Sequence, residues 1–392
     1  MGEYRKKIVP VEKEIVASKI SRFNAALLNP IQIKAEKCRR SLYEFMKEFW
    51  YDVSNSEPTW NWHLPYLSFE LEKMIFRVAQ RRPKLYDLII NISPGTTKST
   101  LCSVMLTAWT WTRWPVLRFI NASYSGALSL EHSDLCRELL RSEKYRSFFP
   151  YIEIKQDKDT KSNFKIIYDE EHVDPVTGEI HVYKKNGGNR YSTSVGGTLT
   201  GFHADILLVD DPLDPQGAVS DIELTKATTW IDQTLSTRKV NKAVTPTIII
   251  MQRLHQNDPT GYLLSKKDKK IKHICLPGEI RNYRENLKPA YLKKFYKDDL
   301  FDSVRMPWSV LDDLRTDLGD FGYASQIGQS AISDKGNLFK VESFQIIHSM
   351  VPNPDIVKSV RYWDKAGTAG GGAYTVGVRM IALKNGKFLI TD

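Results

Sequence analysis

Residues 87–100 read Asp87-Leu-Ile-Ile-Asn-Ile-Ser-Pro-Gly-Thr-Thr-Lys-Ser-Thr100. An apolar run typical of a buried strand enters a loop of small residues, and a helix-like pattern follows that loop. In this order, the backbone N–H groups of the loop and of the helix N-terminus converge on phosphate oxygens, and a lysine adds positive charge. The stretch therefore predicts a phosphate-binding loop.

The predicted loop residues are Ser93, Pro94, Gly95, Thr96, Thr97, Lys98, Ser99 and Thr100. Lys98 would contact the terminal phosphates of a nucleotide, and Ser99 would offer a hydroxyl to Mg²⁺. The match to the usual pattern is partial, because Thr97 stands where a glycine normally precedes the lysine. A capped helix N-terminus with a solvent-facing lysine is the alternative, and the loop alone does not decide between the two.

A second element, Ile206-Leu-Leu-Val-Asp-Asp211, is an aliphatic strand that ends in two carboxylates. On a buried parallel strand both carboxylates would lie at the carboxyl end, where α/β sheets bind ligands. Asp210 would hold Mg²⁺, and Asp211 would orient or deprotonate an attacking water. The alternative is an acidic cap on the turn that follows.

A third element, Thr247-Ile-Ile-Ile-Met-Gln-Arg-Leu-His255, is another aliphatic strand with polar residues at its end. If this strand lies between the other two, Gln252 would sit near the terminal phosphate as a sensor. Arg253 is a catalytic candidate at the same edge, with a structural ion pair as its alternative role.

Short apolar runs alternate with helix-like stretches from Leu85 onward, which is typical of an α/β fold with a parallel sheet. The predicted strands and helices are Asp87–Ile92, Ser99–Thr112, Val116–Ala122, Gly126–Arg141, Ile206–Val209, Ile222–Thr237 and Thr247–Met251. The polar stretch 156–191 is expected to form a hairpin insertion.

Composition narrows the class of protein. Of 392 residues, 42% are hydrophobic and 26% charged, which is globular composition rather than disorder. No apolar run approaches the length of a membrane span, and the N-terminus lacks a secretory core, so no membrane association is expected. The 4 cysteines show no metal or disulfide spacing, and the formal charge of +10 suits a polyanionic partner.

These elements together resemble the large terminase subunits of tailed bacteriophages. The resemblance covers residues 40–392 and includes the segment Tyr191–Leu213 that leads into the acidic pair. It continues with Met251–His255 and Asp258, with Phe321–Gln326 and Gln329, with Gly336–Phe339, and with Arg361–Ala366 and Gly370–Gly372.

The resemblance implies a P-loop ATPase of the ASCE type, with Walker A and Walker B motifs, followed by an RNase H-like endonuclease. It implies ATP-driven movement of double-stranded viral DNA into a prohead and cutting of concatemeric DNA. It further implies ATP and Mg²⁺ at the ATPase, and Mg²⁺ or Mn²⁺ at the nuclease. Expected partners are double-stranded DNA, the portal protein, the small terminase subunit and further copies in a ring. The expected location is the bacterial host cytoplasm, transiently at the portal vertex of the prohead.

Carried over by position, Lys98 and Ser99 bind phosphate and Mg²⁺, Asp210 binds Mg²⁺, and Asp211 is the catalytic carboxylate. Gln252 is the coupling residue. Asp364 is the first metal-binding acid of the nuclease. His63 would lie near the adenine, with a core or capping histidine as the alternative.

The implied domains are a helical extension at 1–80, the ATPase core at 81–278, a linker at 279–340 and the start of the nuclease at 341–392. Because relatives often have an aspartate at Ala373 and the chain stops after a strand-like run, we expect the nuclease to be truncated and unable to cleave DNA. Relatives also often carry Arg-Gly where this chain has Phe202-His203. That leaves the arginine finger unassigned, with Arg190 and Arg137 as candidates and ordinary surface arginines as the alternative.

Two other functions fit the motifs. One is another P-loop DNA translocase, such as a helicase, which would usually continue into a second ATPase-like core. The other is a catalytically silent scaffold that binds DNA or the portal, since the substituted Thr97 leaves hydrolysis open.

Overall fold

The computed structural model describes residues 29–331, 344–347, 355–364 and 375–391. The chain divides into two compact units at residue 334. The finer boundaries expected at residues 80 and 278 stay predictions.

The first unit is built on an 8-stranded sheet in the order β3-β4-β5-β2-β6-β7-β1-β8. All neighbours from β5 to β8 in this order pair in parallel, while β3, β4 and β5 pair antiparallel. The predicted α/β fold class is therefore confirmed. The strands are β1 (Asp87–Ile92), β2 (Phe119–Ser123), β3 (Ile152–Asp159), β4 (Asn163–Val173), β5 (Ile180–Ser194), β6 (Ile206–Asp210), β7 (Thr247–Met251) and β8 (Ile271–Leu276).

The strand predictions succeed where aliphatic runs are continuous. The bounds of β1 and β7 are those predicted, and β6 runs one residue further, through Asp210. Strand β2 starts at Phe119 rather than Val116, because the preceding residues form a turn in which the Leu117 N–H bonds to the Trp114 carbonyl.

The hairpin expected at 156–191 is present, but describing it as an insertion was wrong. Strand β5 is a full member of the sheet, since it pairs in parallel with β2 and places Arg190 opposite Phe119. The first seven residues of β5, 180–186, are exposed. The second half of the strand is more buried and includes the residues that pair with β2.

Helices cover the sheet on both faces. They are α1 (Pro30–Arg40), α2 (Leu42–Glu48), α3 (His63–Ala79), α4 (Leu106–Trp111), α5 (Gly126–Arg141), α6 (Glu143–Phe148), α7 (Asp221–Thr229), α8 (Pro259–Leu264) and α9 (Trp308–Gln326). The helical structure of the described residues also includes wider π-helical turns at Thr100–Met105 and Trp230–Thr234 and 3₁₀ segments at Trp50–Asp52, Gly217–Val219, Leu235–Arg238, Arg284–Asn286 and Ala290–Phe295.

The two faces of the sheet follow from alternation along its strands. In β1, Leu88 and Ile90 pack into the larger core with the N-terminal helices, whereas Ile89 packs into the core on the other face. Each such fully buried aliphatic side chain contributes about 1.5–3 kcal/mol. Trp109 and Trp111 are also buried in the larger core, so these tryptophans pack the interior.

Residues 279–331 pack against the N-terminal helical region rather than extending away from it. The side chains of Asn61 and Trp62 both donate to the Phe301 carbonyl, at 3.0 and 3.2 Å. Helix α9 is interrupted at Gly319, whose φ of 66° lies in the left-handed region. This region thereby reaches the same edge of the sheet as the predicted phosphate loop.

The second unit contains a 3-stranded antiparallel sheet in the order β11-β10-β9. Its strands are β9 (Ile356–Asp364), β10 (Val376–Leu383) and β11 (Phe388–Thr391). Within the described ranges of the chain, none of the helices has the length and apolar character needed to cross a bilayer.

Candidate nucleotide-binding site

The predicted phosphate loop forms a tight turn between β1 and the π-helical segment that starts at Thr100. Gly95 and Thr97 both adopt left-handed backbone conformations, with φ of 71° and 66°. This conformation is unusual for a β-branched residue and costs about 1–3 kcal/mol. Thr97 therefore holds the backbone shape that a glycine would adopt without strain.

Lys98 points inward, to the acidic end of β6. Its side chain is almost fully buried, and its Nζ donates to Asp211 Oδ1 at 3.0 Å. The alternative of a solvent-facing lysine is therefore wrong. The structure brings together two motifs that the sequence placed on different strands.

Asp210 ends β6 and is buried beneath the loop. Its Oδ2 accepts a hydrogen bond from Ser103 Oγ at 2.7 Å and lies 3.8 Å from His132 Nδ1. Burial raises the pKa of Asp210, whereas the positive charge of Lys98 and the hydroxyls of Ser103 and Ser99 act to lower it. Its second oxygen, Oδ1, is buried without a hydrogen-bond partner.

Asp211 occupies a left-handed turn, with φ of 44°. Its N–H donates to the Ile250 carbonyl at 2.8 Å, and its own carbonyl accepts from the Tyr124 N–H at 2.9 Å. These bonds hold the turn so that the carboxylate faces Lys98. Burial raises the pKa of Asp211; the charge of Lys98 lowers it and that of Asp210 raises it further. The cap on the following turn is Asp214, which accepts from the Gly217 N–H at 2.9 Å.

Strand β7 lies between β1 and β6, as predicted, and so delivers Gln252 to the same edge. The Gln252 backbone N–H acts to lower the pKa of Asp211, but burial outweighs it and the pKa is raised overall. Its side-chain Oε1 is buried without a hydrogen-bond partner. Gln252 therefore lies at the same edge of the sheet as Lys98 and Asp211, and its role as a sensor stays a prediction.

The side chain of Arg253 forms an ion pair with Asp258. Its Nε lies 2.9 Å from Oδ2 of Asp258, which is fully buried, and its N–H donates to Gln329 Oε1 at 3.0 Å. These contacts favour the structural role, and a catalytic role for Arg253 stays a prediction.

The two arginine-finger candidates are not available to a neighbouring subunit. Arg190 is fully buried; its Nη1 donates to the Ser103 carbonyl, and its Nη2 has no hydrogen-bond partner. Such a side chain cannot reach another subunit, so its burial rules out Arg190 as a finger that acts on a neighbouring copy. Arg137 is held by Asp134 at 2.6 Å and Asp159 at 2.8 Å, which also argues against that role.

Sequence reasoning missed Arg305, which contacts the loop from the region 279–331. Its Nη1 donates to Thr97 Oγ1 at 2.9 Å and to the Gly95 carbonyl at 3.3 Å. About two hundred residues separate the partners, and no local pattern marks a loop arginine as a partner of a distant turn.

His63 forms a hydrogen bond with the backbone of the phosphate loop. Its Nε2 lies 2.8 Å from the Thr96 carbonyl and must donate to it, which leaves Nδ1 buried without a partner. Burial lowers the pKa of His63 to about 4, so the ring is neutral near pH 7. His63 is thus a core histidine, which was one of the alternatives, and an adenine contact stays a prediction.

The residues at the loop fit a magnesium ion. The buried, unpartnered Oδ1 of Asp210 is a hard oxygen ligand without a proton donor, and the Ser99 hydroxyl lies beside the same carboxylate. Mg²⁺ is usually held by one or two such side-chain ligands together with phosphates and water.

Several other predicted residues contribute little here. Phe202 stacks on Tyr191 with ring centroids 3.8 Å apart. Asp364 ends β9, but its side chain lies outside the described part of the structure. Gly336–Phe339, Gly370–Gly372 and Ala373 also fall outside the described residues.

Together, the sheet order and the loop define a P-loop NTPase fold with an added strand between its two motif strands. No protein-family model and no curated protein matches the chain. Solved structures that the chain resembles include phage large terminases, the family to which the sequence motifs are similar.

The ATPase domain of the Thermus phage P74-26 large terminase is 12% identical, with 73% of this chain and 98% of that chain covered and a TM-score of 0.40. The large terminase of a thermophilic bacteriophage is 13% identical over 82% and 68% of the two chains, with a TM-score of 0.36. That of bacteriophage HK97 is 13% identical over 82% and 62%, with a TM-score of 0.39.

Proposed function

We propose that this chain hydrolyses ATP and uses the energy to move double-stranded viral DNA into a prohead. The observation that carries the ATPase assignment is the contact of 3.0 Å between Lys98 on the phosphate loop and Asp211 at the end of β6. A buried lysine, a carboxylate pair and a polar strand end meet at one edge of a parallel sheet, where α/β folds bind nucleotides.

In this proposal, the backbone N–H groups of the loop bind the phosphates and Lys98 neutralises their charge. Lys98 is now paired with Asp211, so phosphate oxygens compete for the same ammonium group. Nucleotide binding would thereby release the Asp211 carboxylate to accept a proton from water. Its raised pKa brings it closer to the range of an effective general base.

Asp210 and Ser99 would hold the magnesium ion, which supplies charge neutralisation for the phosphates when bound. Ser103 keeps the Asp210 carboxylate in place through the bond of 2.7 Å to its Oδ2. The Gln252 N–H orients Asp211, and the free amide oxygen of Gln252 is suited to report whether phosphate or water occupies the site.

The DNA-packaging role rests on the motif resemblance and on the formal charge of +10, which suits sequence-independent contact with phosphates. We propose a homo-oligomeric ring on the portal protein, with the small terminase subunit as a further partner, in the host cytoplasm. Thermophilic-phage terminase structures in complex with ADP and ATP-gamma-S are consistent with nucleotide use in proteins of this kind.

For the second unit we propose the beginning of an RNase H-like endonuclease. Its antiparallel sheet, with Asp364 at the end of β9, is compatible with a strand that carries a first metal-binding acid. Mg²⁺ or Mn²⁺ would be its ion.

DNA-stimulated ATPase turnover tests the proposal. We expect turnover by the parent chain and a loss of at least about a hundredfold in Lys98→Ala and in Asp211→Asn. A matched control is Asp214→Asn, on the same loop but capping only Gly217. No turnover by the parent would favour a silent scaffold, and strand separation of a short duplex would favour a helicase.

A further inference from the structure

The phosphate loop keeps a glycine-like shape without its usual glycine. Thr97 has φ of 66°, and it directly precedes Lys98. A β-branched side chain disfavours this backbone region, so something else must hold the turn.

Arg305 contacts both ends of the strained turn. Its Nη1 donates to Thr97 Oγ1 at 2.9 Å and to the carbonyl of Gly95, the other left-handed residue, at 3.3 Å. One guanidinium nitrogen therefore bridges the two residues that give the loop its curvature. A glycine at position 97 would have no hydroxyl to accept this bond.

Arg305 is itself rigidly placed. Its Nε donates to Asp302 Oδ2 at 2.6 Å, and the Asp302 Oδ1 accepts from the Arg305 N–H at 3.1 Å. Burial acts to raise the pKa of Asp302, but the hydrogen bonds and charge of Arg305 outweigh it and hold that pKa below its usual range. The ion pair is therefore formed at neutral pH.

The segment that carries Arg305 is also anchored to the other support of the loop. Asn61 and Trp62 donate to the Phe301 carbonyl, and the next residue, His63, donates to the Thr96 carbonyl. The loop is thus held by both His63 and Arg305, and the segments that carry these two residues are hydrogen-bonded to each other.

We infer that Thr97 and Arg305 are an interdependent positioning pair: the hydroxyl of Thr97 and the guanidinium of Arg305 together replace the missing glycine. Arg305 holds the turn so that Lys98 and the loop N–H groups keep their direction. The consequence for nucleotide affinity rests on the proposed function, whereas the coupling between the two side chains does not.

A double-mutant cycle of Thr97→Gly, Arg305→Gln and the combined variant tests this pair in the full chain. We expect Arg305→Gln to weaken ATPγS binding about tenfold, the size of one hydrogen bond to a charged group. In the Thr97→Gly background the same change should weaken it less than about threefold, because glycine holds the turn unaided. Arg305→Lys keeps the charge without the bridging geometry and should resemble Arg305→Gln.

Thermal unfolding without nucleotide provides the independent readout. Arg305→Gln should lower the midpoint in both backgrounds, because Asp302 loses its cation, and by about 2–4 °C more in the parent than in the Thr97→Gly background. The matched control is Arg281→Gln, which loses a surface arginine stacked on Trp308 at 3.8 Å in the same region. Introducing Arg281→Gln should not change the difference that Arg305→Gln makes between the parent and the Thr97→Gly background.

If Arg305→Gln had equal effects in both backgrounds, Thr97 and Arg305 would not depend on each other and the inference would be overturned. Equal effects on affinity would mean that Arg305 acts directly on phosphate through its unpartnered Nη2. If no variant and not even the parent bound ATPγS, the proposed function would fail. The unfolding cycle would then still decide whether the pair exists.

Discussion

Lys98 and Asp211 are 113 positions apart in the sequence, and their side chains meet at 3.0 Å. The contact exists because β1 and β6 flank β7 in a parallel sheet, so the loop after one and the turn after the other face the same edge. In the described structure, Lys98 uses the carboxylate as a partner that a phosphate could replace. In the proposed function, a nucleotide phosphate would take the place of this carboxylate at the Lys98 ammonium group.

The proposed metal ligands, Asp210 and Ser99, should affect nucleotide affinity only when Mg²⁺ is present. We expect Asp210→Ala or Ser99→Ala to lower ATPγS affinity about tenfold with Mg²⁺ present and to change it little in EDTA, because these side chains act through the ion. Fluorescence titration with and without Mg²⁺ measures this. Equal losses in both conditions would remove them from the metal site.

Acid should destabilise the protein through His63. The pKa of His63 is about 4 in the folded chain against 6.5 unfolded, because burial penalises the charged ring. The unfolded chain therefore binds the proton first. The free energy of unfolding is unaffected above about pH 6.5 and falls by on the order of 3 kcal/mol as the pH drops from 6.5 to 4.

The matched variant is His63→Gln, whose amide can still donate to the Thr96 carbonyl but does not titrate. Urea unfolding at a series of pH values should show a shallower decline in this variant than in the parent. It should not be flat, because burial also lowers the pKa of His132 to about 4 and of His273 to about 3. An unchanged slope would show that His63 is not the buried neutral group described here.

Arg253 should behave as a structural residue. Asp258 is fully buried and accepts from the Arg253 side chain as well as from the N–H of Leu254 at 3.0 Å and of Gly261 at 2.9 Å. Arg253→Gln leaves that carboxylate without its cation and should cost about 3 kcal/mol in the free energy of unfolding. Turnover per folded molecule should be nearly unchanged; loss of turnover at parental stability would instead make Arg253 catalytic.

Gly261 should not tolerate a side chain. A Cβ built there would lie 1.8 Å from the Gln256 carbonyl oxygen, so the backbone that positions Asp258 would have to move. We expect Gly261→Ala to cost at least about 2 kcal/mol in chemical denaturation. Gly126→Ala is the control, because its Cβ would meet nothing closer than 4.0 Å and helical alanine gains up to about 1 kcal/mol. If Gly261→Ala and Gly126→Ala had similar free energies of unfolding, the close packing described at Gly261 would be contradicted.

Continuous aliphatic strands made much of the site predictable. β1, β6 and β7 each run into polar residues, and parallel strands carry such ends to one edge, which places Lys98, Asp210 and Gln252 together. What the sequence could not supply were contacts made by single side chains across long separations. Arg305 reaches the loop from more than two hundred residues away, and no periodicity encodes that approach.

Burial caused the other errors. Arg190 looked available as a finger because arginines are usually exposed, yet the half of β5 that carries it is covered by the helical layer. Conversely, the exposed first half of β5 has a polar sequence, so the sequence alone did not indicate that β5 belongs to the sheet. In both cases the outcome depended on which neighbours cover a strand, and that is decided by tertiary packing rather than by local pattern.

The exchange of partners at Lys98 is tested most directly by isothermal titration of Mg²⁺·ATPγS into three proteins: the parent, Lys98→Ala and Asp211→Asn. The account predicts binding by the parent and at least about tenfold weaker binding by Lys98→Ala. Asp211→Asn should bind as tightly as the parent or more tightly, because its lysine no longer has a competing carboxylate. No binding by the parent, or an equal loss in both variants, would contradict it.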